Sequence, residues 1–315
     1  MPQRPILVTG SHRSGTGWVG SMIAACRSSP VAYVWEPFSP LHRPGTFSVH
    51  FPYWFAYVCP ENEGPFLEPV GDMLAFRYQA AAEFAAVQSV KDAIRLPRDW
   101  LRFIRYRRAG ARPLLKDPIA IFSAEWLCDT FDMDVIVLIR HPAGFASSLK
   151  SRGLTHPFSH FLEQLMLMRD RLAPFRGEIT RFAAEPQPLL QQAILLWKLI
   201  YWTILNYRGN RPDWMFLRLE DIALNPQTEF EKIYRRLGLT YDEHVRRTVG
   251  KYSDPSNPAE TPDPALVKRD SRASIGTWRE RLDAQEIQLI RKEVEPISKE
   301  FYSDSDWHLN QEPFR

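Results

Sequence analysis

The chain has 315 residues, 44% of them hydrophobic, and a formal net charge of +3 at pH 7. That length and apolar share provide for a sizeable core, and so small a positive excess argues against a nucleic-acid-binding surface. Three widely spaced cysteines (Cys26, Cys59, Cys128) match neither a metal-ligand spacing nor a disulfide framework, which points to a reducing, cytoplasmic setting without a structural metal.

Residues 6–8 form an apolar run that predicts a short buried strand. The stretch Gly10-Ser11-His12-Arg13-Ser14-Gly15-Thr16-Gly17-Trp18 follows, and helical spacing of Trp18, Met22 and Ile23 predicts a helix after it. Strand, glycine-bearing turn and helix start make an anion cradle, with Arg13 as a fixed cation and Ser14 and Thr16 as hydroxyl donors. So few apolar residues precede Gly10 that no signal peptide is expected, and no run of about 18 apolar residues predicts a transmembrane helix. Residues 31–34 read as a second strand, ending at Trp35-Glu36-Pro37-Phe38. Residues 37–65 are rich in proline, aromatics and histidine and read as a covering loop, while 66–89 and 98–108 read as helices, the latter with a solvated basic face.

Strands are expected at 113–118, at 135–139 and at 214–219. Five consecutive apolar residues at 135–139 suit a parallel strand covered on both faces. Helices are expected at 122–130, 144–152, 156–171, 189–207, 230–237 and 283–301, and residues 253–264 form a proline-rich loop. Strands alternating with helices imply a central parallel sheet flanked by helices, an α/β fold in three layers. Without a clean linker or an internal repeat, residues 1–315 are expected to form one domain.

Four of these strands have charged residues at or just past their ends: Arg13, Lys116-Asp117, Arg140 and Glu220-Asp221, with Glu36 after the second. In an open parallel sheet those ends frame the ligand crevice, so a pocket for an anionic ligand with a nearby acid or base is expected. Gly10 and Gly15 have the separation of a Walker loop, but Thr16-Gly17 stand where its Lys and hydroxyl residue belong. The loop is therefore of P-loop type and suited to a phosphate, yet poorly equipped for a metal-bound triphosphate.

At this point the chain resembles the sulfotransferases that use 3′-phosphoadenosine 5′-phosphosulfate (PAPS), particularly their bacterial members. Their phosphosulfate loop, basic-Ser-Gly-Thr-Thr-Trp, is matched by Arg13-Ser14-Gly15-Thr16-Gly17-Trp18, with Gly17 in place of the second Thr. Their 3′-phosphate segment is matched by residues 135–139, Arg140 and Ser148. A degenerate counterpart of their C-terminal segment spans residues 271–279, Ser271 to Arg279. Arg218-Leu219-Glu220-Asp221, Leu237-Gly238-Leu239 and Trp35-Glu36-Pro37-Phe38 resemble further features of these enzymes.

The resemblance implies sulfuryl transfer from PAPS to a hydroxyl or amine of a small-molecule, carbohydrate or lipid acceptor, without a metal and with adenosine 3′,5′-bisphosphate as product. Negative charge builds on the departing oxygen, and Arg13 is expected to stabilise it electrostatically. The resemblance assigns the 5′-phosphate to Ser14, Gly15, Thr16 and Gly17, and the 3′-phosphate to Arg140, Ser148, Arg269 and Arg272. Trp18 resembles the adenine-stacking residue or faces the core. The acceptor base is Glu36, His42, His50, His156 or Asp117, with Glu36 matching the catalytic glutamate of some bacterial members.

Residues 37–112 are then an acceptor-side insertion, in which Phe51, Tyr53, Trp54 and Phe55 line the acceptor site or fill a core. Residues 253–279 cover the cofactor, with the proline-rich part as a mobile lid. Other readings are a P-loop small-molecule kinase, against which the missing Walker Lys and the Arg140/Ser148 pair speak, and a non-catalytic nucleotide-fold binding protein.

Overall fold

The computed structural model describes residues 3–260 and 267–307. Five strands build one sheet: β1 (Ile6–Gly10), β2 (Val31–Trp35), β3 (Arg112–Lys116), β4 (Asp134–Ile139) and β5 (Met215–Arg218). Their spatial order is β2-β3-β1-β4-β5, and every pairing is parallel. All five expected strands are present.

The strands are apolar on both faces because helices cover both. Leu7, Leu115, Val135 and Val137 enter one core cluster with the long helix Leu189–Asn210 and the helix Pro142–Lys150. Their neighbours Ile6, Val8, Leu114, Ile136 and Leu138 enter the other, with the helices Thr16–Ile23 and Pro226–Arg236. The two-residue period of a strand divides these side chains between the layers. Each fully buried aliphatic side chain contributes about 1.5–3 kcal/mol.

The helices depart from expectation in places. Residues 66–89 break into Gly64–Leu74 and Ala80–Ala85. Between them Phe76 has a positive φ of 53° and Arg77 N–H donates to the Asp72 carbonyl at 2.8 Å. Residues 156–171 form two short helices, Ser159–Leu162 and Leu165–Asp170. The basic helix is longer than expected, Val90–Arg108, because Ser89 caps it by accepting from Asp92 N–H. Helices Arg176–Ala184 and Glu243–Ser253 stand where none was expected.

Parallel pairing brings the carboxyl ends of all five strands to one edge. Trp35 is in register with Lys116, Gly10 with Leu138 and Ile139 with Arg218, so residues distant in sequence become neighbours there. Two glycines make the turn after β1. Gly10, at φ 134°, passes the β4 backbone so closely that a Cβ would lie 2.3 Å from the Leu138 carbonyl oxygen. Gly15, at φ 86°, would place a Cβ 2.6 Å from Leu219 Cδ1.

Candidate active site

A cavity of about 560 Å³ opens at this edge. Gly15, Thr16, Gly17 and Trp18 line one part of it with Arg13, Arg140 and Arg269. The helix Thr16–Ile23 starts here at Gly15, and no described side chain caps it. Its first-turn N–H groups and the positive end of its dipole make this wall suited to an anion.

The cationic groups are tied to one another. Arg140 Nη1 donates to the Arg13 carbonyl at 2.5 Å, and Arg13 Nε donates to Ser148 Oγ at 3.0 Å. The two expected phosphate motifs therefore meet, with Arg13 between them. The long helix braces them from behind: Arg140 N–H donates to Tyr201 Oη at 2.6 Å, Tyr201 Oη lies 3.1 Å from Ser11 Oγ, and Trp197 Nε1 donates to the Arg140 carbonyl at 3.2 Å. Sequence reasoning missed Tyr201 and Trp197 as site supports, because an apolar helical spacing marks them as core.

Burial lowers the pKa of Arg13 to about 10, helped by Arg140, Arg152 and Arg269. Burial also lowers Arg140 and Arg269. Glu260 carries opposite charge toward all three and pairs with Arg281 at 2.6 Å. Guanidinium groups held together against repulsion and desolvation gain when a phosphate enters among them.

Another part of the cavity holds Glu36, Lys116 and His156, with Trp35, Trp54, Phe55 and Leu196 as apolar wall. The Lys116 ammonium donates to the Glu36 carboxylate and lies 5.3 Å from the Trp35 ring centre. Glu36 has a positive φ of 40°, and its N–H donates to the Lys116 carbonyl at 2.9 Å. Both contacts join β2 to β3.

The structure sorts the remaining candidates. His12, which sequence reasoning passed over, lines the cavity between Phe55 and Phe145, and burial followed by Arg13 and Arg140 lowers its pKa to about 4. His156 packs on Phe55 and Phe161, and burial lowers its pKa well below the ordinary value.

His42, His50 and Asp117 do not line the cavity. His42 rests its ring nitrogens on the Ser39 and Phe47 carbonyls at 2.7 and 3.0 Å, and His50 stacks on His42. Asp117 is buried and accepts from Phe38, Ile119 and Ala120 N–H, so it acts as a clasp for the turn after β3.

Three of the residues expected to hold phosphate, Ser14, Arg272 and Ser148, do not themselves line this cavity. Ser14 is buried, and its hydroxyl donates to the Ser11 carbonyl at 2.5 Å while its N–H donates to the same oxygen at 3.2 Å. It makes the turn rather than lining the cavity. Arg272, at the start of the helix Ser271–Gly276, is exposed and donates to the Leu224 carbonyl at 3.2 Å, whereas Arg269 lines the cavity. Ser148 reaches the cavity only through Arg13.

The Trp18 ring meets Phe230 edge-on in the core, and the same residue lines the cavity, as do Tyr252 and Val267. The aromatic insertion also divides. Trp54 and Phe55 face the cavity, while Phe51 stacks between Phe38 and Phe66 with ring centres 4.5 and 5.1 Å away. Of the proline-rich segment, residues 261–264 lie outside the described residues.

Just behind Arg140, His141 is enclosed by Trp278, Tyr302 and Trp307, neither ring nitrogen has a hydrogen-bond partner among the described residues, and burial lowers its pKa to about 3. In the unfolded chain it titrates near 6.5. Below that pH the unfolded chain binds a proton the folded chain refuses, so stability is lost as the solution is acidified. The loss is about 1.4 kcal/mol for each pH unit below the unfolded pKa. Asp117 acts in the opposite direction, because burial and Glu36 raise its pKa to about 7. The difference between wild type and His141→Phe isolates the histidine. The variant keeps the aromatic stack and is expected to gain about 1.4 kcal/mol on wild type between about pH 8 and pH 5.5. Denaturant melts at the two pH values measure this; parallel pH profiles would disprove it.

An open α/β sheet with a glycine turn, a helix start that no described side chain caps and clustered arginines at its carboxyl edge makes a cavity suited to an anionic ligand. The sequence profile described as "Sulfotransferase family" matches residues 5–243. The chain belongs to that family. It is 28% identical over 162 residues to carbohydrate sulfotransferase 1 of Rattus norvegicus, covering 48% of this chain and 34% of that protein. The match therefore takes in about a third of the length of this curated relative. Among solved structures, sulfotransferase STF9 from Mycobacterium avium superposes with a TM-score of 0.47 at 12% identity, covering 96% of this chain and 77% of the other. Mouse sulfotransferase SULT7A1, solved with PAP, gives 0.46 at 13% identity, covering 97% and 88%. No described helix is long and apolar enough to cross a membrane.

Proposed function

We propose that this protein transfers a sulfuryl group from PAPS to a hydroxyl or amine of a small-molecule, carbohydrate or lipid acceptor, leaving adenosine 3′,5′-bisphosphate. One observation carries the reading: a single cavity joins a cluster of guanidinium groups at an open helix start to the Glu36–Lys116 pair. The donor set fits two phosphates held on positive side chains without a metal. PAPS, when bound, supplies a sulfuryl group already activated on a phosphate.

In this reading the backbone of Gly15 to Trp18 and the Thr16 hydroxyl hold the 5′-phosphate, and Arg13 stabilises charge on the departing oxygen. Arg140 and Arg269 hold the 3′-phosphate, with Ser148 fixing Arg13 beside it. Trp18, Tyr252 and Val267 cradle the adenine. Glu36 accepts the proton of the acceptor group, and Trp54 and Phe55 bound the acceptor. Arg272 and the Ser14 hydroxyl have no part in it. The chain is taken as one domain, with residues 37–112 on the acceptor side and 253–279 over the cofactor. Three free, buried cysteines accord with a reducing, cytoplasmic setting.

Binding is read by thermal shift. Adenosine 3′,5′-bisphosphate at 100 times its Kd is expected to add about 2.7 kcal/mol, and ATP with magnesium far less. Preference for ATP with magnesium would favour a kinase, and no response to either ligand would favour a non-catalytic fold. Incubation with PAPS and an acceptor panel, read by mass for an added sulfuryl group, then identifies the acceptor.

A further inference from the structure

The helix Val90–Arg108 takes no part in the cavity. It nevertheless bears four of the eleven exposed large apolar side chains of the described residues: Val90, Ile94, Trp100 and Leu101, between 46% and 77% exposed. An amphipathic helix on a globular protein normally turns its apolar stripe inward. This helix does so with Phe103, which packs on Phe76 and Tyr78. The exposed aliphatics form a second apolar face that nothing among the described residues covers.

The order of side chains around the helix says what that face fits. At about 100° per residue, Trp100, Pro97, Val90, Leu101 and Ile94 share a sector roughly 120° wide, in which Arg108, the last residue of the helix, is the one charged side chain. Arg105, Arg98, Lys91 and Arg102 come next, in a continuous basic sector. Seven Lys and Arg stand in this helix against two acids, Asp92 and Asp99. Asp92 pairs with Arg43 from outside the helix, while Asp99 pairs with Arg98 and Arg102 and offsets part of that basic sector.

A soluble polyanion engages a basic sector but leaves the aliphatic one in water. An anionic bilayer engages both: the aliphatics and Trp100 enter the headgroup boundary, and the long basic side chains reach the lipid phosphates from its edge. We infer that the face formed by Val90, Ile94, Trp100 and Leu101, with its basic flank, docks the protein on an anionic membrane surface. This inference is independent of the reaction proposed above.

The full chain tests it by sedimentation with vesicles of phosphatidylcholine alone and with about 30% phosphatidylglycerol. Binding is expected on the anionic vesicles, about tenfold or more above the neutral ones, and it should weaken with added salt. Ile94→Ser with Leu101→Ser is expected to cut that binding about tenfold with the melting curve unchanged, since both side chains are exposed. Lys91→Gln with Arg105→Gln should also weaken it and flatten its salt dependence. Equal or absent pelleting with both vesicle types overturns the inference. Retention on heparin without vesicle binding does so in favour of a soluble polyanion. A dimer broken by Ile94→Ser with Leu101→Ser, again without vesicle binding, does so in favour of a second copy of this chain.

Discussion

Glu36→Gln is expected to lower sulfuryl transfer by about 10²–10³-fold while leaving the thermal shift with adenosine 3′,5′-bisphosphate intact. The carboxylate lies in the cavity wall, bonded to the Lys116 ammonium. Just past β2, the Glu36 backbone stands at φ 40° with its N–H bonded to the Lys116 carbonyl. A positioned base contributes typically 10²–10⁴-fold, and an amide cannot take the acceptor proton. Glutamine still offers Lys116 an oxygen. The folded state should therefore lose only about 1–2 kcal/mol, the cost of weakening a charge-assisted bond at a partly buried ammonium. Transfer rate, bisphosphate shift and melting temperature measured on one preparation separate these effects. Wild-type turnover in the variant would remove Glu36 from the mechanism and leave His12 and His156 as the imidazoles in the cavity.

The Glu36–Lys116 pair also marks where sequence reading stops. The strands themselves are legible, because a parallel strand covered on both faces is a short apolar run, and Val135 to Ile139 is such a run. Their order is not. Glu36 and Lys116 stand 80 residues apart and meet only because β2 lies beside β3, with β3 between it and β1. Helix Glu243–Ser253 went unread because only Val245, Val249 and Ser253 are buried on it, too few to make an apolar period.

The site is legible where a motif constrains the backbone and less so where it constrains a side chain. Gly10 and Gly15 are required by φ and by close approach, and both stand where the motif places them. Ser14 is in the motif as well, but its hydroxyl is used to close the turn. Arg269 and Arg272 are three residues apart, yet Asp270 caps the helix that begins between them and their side chains part: one toward the cavity, one toward Leu224. Spacing cannot anticipate that divergence, because it depends on where the cap falls.

Arg13→Met is expected to lower transfer by about 10²–10³-fold, the range found when a single preorganised charge stabiliser is removed. Unlike Glu36→Gln, it should also reduce the bisphosphate shift, because Arg13 belongs to the guanidinium cluster proposed to receive the phosphates. Stability of the ligand-free protein should not fall with it. Burial and the neighbouring Arg140, Arg152 and Arg269 push the Arg13 guanidinium down to about 10, so in the ligand-free fold its charge is a cost. Methionine removes that cost in exchange for the bond to Ser148. Arg13→Lys keeps the charge and is expected to retain transfer within about tenfold of wild type, since a single bond from Nε to Ser148, rather than a two-pronged grip, locates the group. The pair of variants distinguishes charge from shape. Loss in both would mean that the guanidinium geometry is required. Full activity in Arg13→Met would mean that charge on the departing oxygen is met by another cation of the cavity wall, Arg140, Arg269 or Lys116.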